Sequence, residues 1–325
     1  MSARAPRAAL LFPGQGSQAV GMGRSLHDTV PEARRIFERV DRALGTALSR
    51  ACFEGPEEAL RLTATTQPAI LATSIAALEA LKARLGGGWA GIVACAAGHS
   101  LGEYSALVAS GSLGLEDAVR TVRRRGEYMQ EAVPVGAGGM AALIGGSLEQ
   151  VLALCQEAAQ GEVLAPANLN APDQTVVAGS AAAIERLASL AREHGVRKVV
   201  RLPVSAPFHC ALMEPARLRL AKDLESLTLG DAAFPVLPNV SAEPTTDAAV
   251  LRAALARQVT APVRWVETIR RLAASGARAL VEIGPGRVLT GLARRITPDL
   301  TLLNVEDPAS LEATVDRLQA EGGAA

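Results

Sequence analysis

Short runs that are apolar throughout alternate along this chain with longer stretches of helical period, and that alternation predicts an α/β fold. Ala8–Phe12 is apolar at every position and is closed by Pro13-Gly14, the pattern of a strand buried on both faces. Residues 31–48 and 56–62 have helical spacing. Residues 67–85 form an alanine-rich stretch with Ile70, Leu71, Ile75, Leu78 and Leu81 close to helical period. A second apolar run, 92–97, leads through Gly98-His99-Ser100-Leu101-Gly102 into a helical segment at 103–108, and a basic helix is predicted over 115–133. Short connections between such elements imply a mostly parallel sheet with helices on both faces.

After residue 133 the texture changes. A glycine-rich approach (Gly136, Gly138, Gly139) leads to a strand at 140–144, a helix at 148–159 and a strand at 163–168. A turn at Asn170-Ala171-Pro172-Asp173 follows, then a strand at 175–179, a helix at 181–194 and a strand at 198–202. This β-α-β-β-α-β order is the ferredoxin-like pattern. The expected organisation is an α/β core made of residues 1–133 and 204–325, interrupted by an α+β subdomain at 134–203. In the returning core segment, strands are expected at 235–239 and 279–283, helices at 214–227, 247–258 and 263–275, and one more helix beyond Gly284-Pro285-Gly286.

Composition acts mainly by exclusion. With 33 basic and 33 acidic side chains and 49% apolar residues in 325, neither disorder nor a nucleic-acid-binding surface is expected. Arg4 and Arg7 precede only the short run Ala8–Phe12, too short for a secretory signal or a membrane span, so a cytoplasmic protein without membrane contact is expected. Cys52, Cys95, Cys155 and Cys210 lack C-x-x-C spacing, so the thiols are expected reduced and no metal site is expected.

The pentapeptide Gly98-His99-Ser100-Leu101-Gly102 carries the clearest chemistry. A strand that reverses into a helix strains the turn residue, and flanking glycines remove the Cβ atoms that would clash there. Ser100 is left on a rigid elbow. The Leu101 N–H, at a helix start, is free to donate to an oxyanion beside it. A serine nucleophile needs a base, and the chain has four histidines. His27 lies among polar neighbours, His99 should point away from Ser100, and His194 ends a helix before Gly195. His209 remains, in the proline-stiffened segment 203–210 that returns from the subdomain to the core. No third member is evident. Glu282 and Asp231 are candidates by position, and a main-chain or amide carbonyl would also serve, more readily for a thioester whose thiol leaves without much protonation.

On the 115–133 helix the apolar stripe runs through Leu115, Val119, Val122, Gly126 and Met129, which places Arg120, Arg123 and Arg124 on the far face. Arg125 falls on the inward side. An arginine there needs an anionic partner, either a structural carboxylate or that of a substrate. Gly14-Gln15-Gly16-Ser17-Gln18-Ala19 after the first strand also fits a dinucleotide fingerprint, but Pro13 sits at the turn and the acidic residue that should follow a second strand is missing. The same loop is equally suited to bringing a backbone N–H beside the serine.

Assembled, these motifs resemble the malonyl-CoA:acyl carrier protein transacylase family, over almost the whole chain. The residues carrying the resemblance are Phe12 to Gln18, Gly98 to Tyr104, Arg125-Gly126 with Met129-Gln130, Asn168 and Asn170, Pro207-Phe208-His209, Gln258 with Pro262-Val263-Arg264-Trp265, and Val281 to Gly286. The resemblance implies an α/β-hydrolase-like core with a ferredoxin-like insertion. It implies a Ser100 acyl-enzyme, His209 as base oriented by the Gln258 backbone carbonyl, and an oxyanion hole from the N–H groups of Gln15 and Leu101. Arg125 would pair with the malonyl carboxylate, and Met129, Phe208 and Asn170 would bind substrate. Phe208 resembles the bulky residue of malonyl-selective polyketide acyltransferases. Expected partners are malonyl-CoA and an acyl carrier protein, with no cofactor and a monomeric chain. A free-standing polyketide synthase acyltransferase and a serine hydrolase or thioesterase are the alternatives.

Overall fold

The computed structural model describes residues 8–204 and 206–323, so Arg4, Arg7, Ser205 and the tail from Ala324 lie outside the described residues. Among the described residues nine strands form two sheets: β1 (Ala8–Phe12), β2 (Val93–Gly98), β3 (Gly138–Ile144), β4 (Leu164–Ala171), β5 (Gln174–Ser180), β6 (Lys198–Arg201), β7 (Val236–Leu237), β8 (Ala279–Ile283) and β9 (Thr301–Val305). The core sheet is parallel throughout, in the order β7-β2-β1-β8-β9. Its central strand is buried at all five positions and serves two cores. Ala8, Leu10 and Phe12 pack toward the helix Thr63–Leu85, while Ala9 and Leu11 pack toward Trp265, Ile269 and Leu272 of the helix Trp265–Ala274. Alternate side chains of one strand feed opposite layers, which is why the run has no polar position.

The helix Thr63–Leu85 starts four residues before the expected 67–85 and is buried around its whole circumference over much of its length. Its alanines allow close approach. Gly126, for instance, sits so near that an added Cβ would fall 2.7 Å from the Thr63 carbonyl oxygen. Other boundaries differ by a few residues. The expected 31–48 helix stops at Leu44, where Gly45 takes φ 63° and ends it. The 181–194 helix stops at Leu190, and the basic helix runs Leu115–Glu131. Strand β9 and the helix Pro308–Gly323 were not expected. Thr301-Leu302-Leu303-Asn304-Val305 is too short and mixed to declare itself; pairing with β8 makes it a strand.

The second sheet is antiparallel in the order β4-β5-β3-β6, the ferredoxin-like arrangement. The helices Leu148–Ala159 and Ala181–Leu190 cover one face, with Leu154, Ile184 and Leu187 against Ala141, Leu143 and Val177. The other face carries Met140, Ala142, Val176 and Ala178 into the main core. Leu169 N–H donates to the Val263 carbonyl and Val263 N–H to that of Ala167, each at 2.9 Å, which stitches β4 to the segment before Trp265. The cleft between the sheets opens at the carboxyl ends of β1 and β2, where an open parallel sheet offers backbone groups to a ligand. Among the described residues, no helix is long and apolar enough to cross a membrane.

Candidate active site

The elbow is built by close approach. A Cβ on Gly98 would lie 1.8 Å from the Gly102 carbonyl carbon, and one on Gly102 would lie 2.0 Å from the Phe12 carbonyl oxygen. Only glycine fits at either place. Ser100 between them takes φ 51°, a left-handed conformation that costs a non-glycine residue roughly 1–3 kcal/mol and persists only when surroundings impose it. Here the imposing group is Asn239, just beyond β7. Its Oδ1 accepts the Ser100 N–H at 2.7 Å and its Nδ2 donates to the Gly98 carbonyl at 2.7 Å.

Ser100 Oγ lies 2.7 Å from His209 Nε2, and His209 Nδ1 lies 2.8 Å from the Gln258 main-chain carbonyl. A carbonyl oxygen only accepts, so Nδ1 carries the proton and Nε2 is left as the acceptor for the serine hydroxyl. His209 itself has φ 61°, so base and nucleophile both sit on strained backbone. Burial, reinforced by the Arg125 charge, pushes the His209 imidazole down to about 3, so it is neutral and able to take a proton at neutral pH.

Arg125 is 2% exposed and faces the same cleft. Its Nη1 donates to Gln67 Oε1 at 2.8 Å, and its Nη2 donates to Gln258 Oε1 at 2.9 Å and to Ser100 Oγ at 3.1 Å. All three acceptors are neutral. Among the described residues no carboxylate lies within ion-pair distance of the guanidinium, and its Nε has no partner. Burial lowers Arg125 from its ordinary value, yet an arginine keeps its charge in proteins. The cleft therefore holds a desolvated cation with room for an anion beside a serine hydroxyl. Neither the Gln15 nor the Leu101 N–H has a hydrogen-bond partner among the described residues, and both residues line the cleft with Ser100. The cleft encloses about 540 Å³ of empty space that continues into solvent. A nucleophile, a neutral base, two unpaired amide donors and a fixed cation together suit acyl transfer from an anionic acyl donor.

Comparison with known proteins agrees with that chemistry. Residues 9–320 match the acyl transferase domain family. A curated relative from Bacillus subtilis (strain 168), malonyl CoA-acyl carrier protein transacylase, is 45% identical over 315 residues, which is 96% of this chain and 98% of that one. The chain belongs to the malonyl-CoA:acyl carrier protein transacylase family. Among solved structures, the malonyl CoA-acyl carrier protein transacylase of Coxiella burnetii superposes with a TM-score of 0.94 at 39% identity, covering 98% of this chain and 99% of that one. A malonyl-transacylase in complex with a type II polyketide synthase acyl carrier protein matches with a TM-score of 0.92 at 42% identity, over 96% of this chain and 99% of that one.

In this acyltransferase the fold brings Ser100, His209, Arg125, Gln15, Leu101, Met129 and Phe208 to one cleft. Asn170 is elsewhere. Its Oδ1 lies 2.8 Å from His99 Nε2, and it lines a neighbouring depression with Pro13, Gly14, Gln15 and Val288, whereas Asn168 lines both that depression and the cleft. The two acids considered as third members are both otherwise engaged. Glu282 accepts the N–H groups of Leu289 and Thr290, and Asp231 accepts that of Ala248. The other histidines have structural partners: His27 with Asp28 and Phe53, His194 with Glu157, His99 with Asn170 and Trp265. The dinucleotide pattern fails because no helix follows β1 directly; the first begins at Arg24.

Sequence reasoning missed Gln67, Glu103, Asn239 and the Gln258 side chain, all buried. Glu103 and Gln258 lay in motifs already noted, without a role for their side chains, and Gln67 left a trace as an amide on an inward helix face, where a buried polar group must have a partner.

Proposed function

We propose that this acyltransferase moves the malonyl group of malonyl-CoA onto the phosphopantetheine thiol of an acyl carrier protein, through an ester on Ser100. The observation that carries this reading is Arg125, a buried cation without a carboxylate partner among the described residues, 3.1 Å from the serine hydroxyl. The malonyl carboxylate is the anion that completes it, and bidentate pairing would set the thioester carbon over Ser100.

In the first half-reaction His209 Nε2 takes the Ser100 proton while Oγ attacks the thioester carbonyl. The oxyanion of the tetrahedral intermediate is received by the Gln15 and Leu101 N–H groups. Collapse breaks the C–S bond, and CoA leaves as a thiol with the proton returned by His209. In the second half the carrier thiol gives its proton to His209, attacks the Ser100 ester and leaves with the malonyl group, the proton returning to Ser100 Oγ. The Gln258 carbonyl stabilises the transient imidazolium less than a carboxylate would, which suffices because thiols are good leaving groups. Phe208 and Met129 press on the acyl group and disfavour an α-methyl branch. Asn170 acts on the substrate side through the depression that adjoins the cleft. In this reading residues 134–203 are an inserted subdomain lending Met140 and Asn168 to the cleft wall, and the protein works as a cytoplasmic monomer.

Intact-mass measurement tests the proposal. Malonyl-CoA should add one malonyl group to the chain, and a phosphopantetheinylated carrier protein should then remove it and gain the same mass. Loss of the adduct to water at the same rate with or without the carrier would make the protein a hydrolase.

A further inference from the structure

Glu103 occupies the first turn of the elbow helix Gly102–Ala109, where an acidic side chain ordinarily complements the helix dipole. It does something else. It is 1% exposed, and its Oε2 accepts the Asn239 main-chain N–H at 2.8 Å and Gln258 Nε2 at 2.8 Å. The Gln258 amide thus spans two opposite charges: its Oε1 receives Arg125 Nη2 at 2.9 Å while its Nε2 donates to Glu103. Reversing that amide would turn its NH₂ toward the guanidinium and its oxygen toward the carboxylate. Both contacts would become repulsive, so the carboxylate fixes the amide in one orientation. Gln258 Nε2 also donates to the Ser100 carbonyl at 2.9 Å, and the Gln258 main-chain carbonyl holds His209.

We propose that Glu103 is a positioning residue for the acyl group: it orients the Gln258 amide that holds the Arg125 guanidinium ready for the malonyl carboxylate. Its carboxylate bonds Asn239 and Gln258 and not the Ser100 hydroxyl. The inference rests on the malonyl-transfer reading and adds to it the group that presets the specificity arginine. Burial pushes the Glu103 carboxyl up to about 7, and the Asn239 N–H, the Gln258 amide and the Arg125 charge all work against that rise; Glu103 in turn favours the charged form of Arg125.

The test is single-turnover acylation of Ser100 with malonyl-CoA and acetyl-CoA in the unaltered chain, Glu103→Gln, Arg125→Ala and the double variant. Glu103→Gln keeps an acceptor oxygen and removes the charge. It should weaken malonyl-CoA binding about tenfold with little change in limiting rate, alter acetyl transfer by less than about threefold, and add no further malonyl loss once Arg125 is alanine. Glu103→Asp retains the charge and should recover part of the malonyl preference; it carries the same comparison should Glu103→Gln fold poorly. An unchanged malonyl preference, equal losses for the two thioesters, or the same loss with and without Arg125 would overturn the proposal. Absence of any malonyl ester on Ser100 in the unaltered chain would instead defeat the functional reading, whatever the variants do.

Discussion

Replacing Arg125 by alanine separates a specificity cation from a structural one, because the two make opposite statements about a substrate without a carboxylate. The protein gives the guanidinium three neutral acceptors and, among the described residues, no acid within ion-pair distance, so it compensates little of the cost of burying it. Bound malonyl would supply a desolvated, bidentate ion pair. Removing the cation leaves the malonyl carboxylate buried alone, a loss of about 3–5 kcal/mol. At about 1.4 kcal/mol per decade, this corresponds to a factor of roughly 10²–10⁴ in malonyl acylation.

Acetyl-CoA has nothing to lose in that contact. Two smaller effects remain for it, with opposite signs. The 3.1 Å hydrogen bond from Nη2 to Ser100 Oγ disappears, which makes the alkoxide harder to form. At the same time the Arg125 charge no longer weighs on His209, whose basicity rises. Acetyl acylation should therefore move by less than about tenfold in either direction. Arg124→Ala is the control: its side chain is 55% exposed on the opposite face, 3.5 Å from Asp223, and neither thioester should respond. The assay is the rate of acyl-enzyme formation by quenched-flow mass measurement with each thioester. Equal losses for malonyl and acetyl would refute the argument and make Arg125 a framework residue.

The remaining predictions concern the nucleophile, the base and the elbow. Ser100→Ala should abolish the malonyl adduct with the fold intact, and peptide mapping that finds a stable adduct on Cys210 in this variant would transfer the nucleophile role to that thiol. His209→Ala should slow acylation by about 10²–10⁴, the usual value of a general base, with melting temperature as the check on folding. Gly98→Ala must displace the Gly102 backbone, because the new Cβ would fall 1.8 Å from it; more than about 4 kcal/mol of destabilisation in urea titration is expected. Gly230→Ala, with nothing within 4 Å of an added Cβ, should be silent in the same titration. For pH, His209 sits at about 3 in the fold against 6.5 for an exposed imidazole. The unfolded chain therefore binds a proton that the native state refuses between those values. This contribution to stability is complete above pH 6.5 and is lost as the pH falls, by up to about 1.4 kcal/mol per pH unit. His209→Asn should flatten that part of the stability curve, and an unchanged slope would show that the imidazole is not held neutral by burial.

What the chain alone determined is whatever local order encodes. The elbow was legible because a strand, a glycine, a serine, a glycine and a helix are contiguous, and the close approach that demands glycine at Gly98 is to Gly102, four residues on; that at Gly102 is to Phe12 of β1 and is tertiary. Arg125 was legible because helical period places it on the buried face whatever that face meets. The ferredoxin-like order was legible from alternating periods, and His209 from elimination among four histidines. Tertiary structure decided the rest. The partner of His209 is a main-chain carbonyl 49 positions away, and a carbonyl has no side-chain signature to read. Asn239 reaches the elbow across 139 positions, and Gln258 reaches Glu103 across 155. Asn170, two positions beyond Asn168 of the cleft wall, pairs with His99 and lines the adjoining depression, a placement that the course of β4 decides. Strand β9 exists because β8 offers an unpaired edge. Each of these depends on which distant backbone passes nearby, and periodicity within one segment contains no record of that.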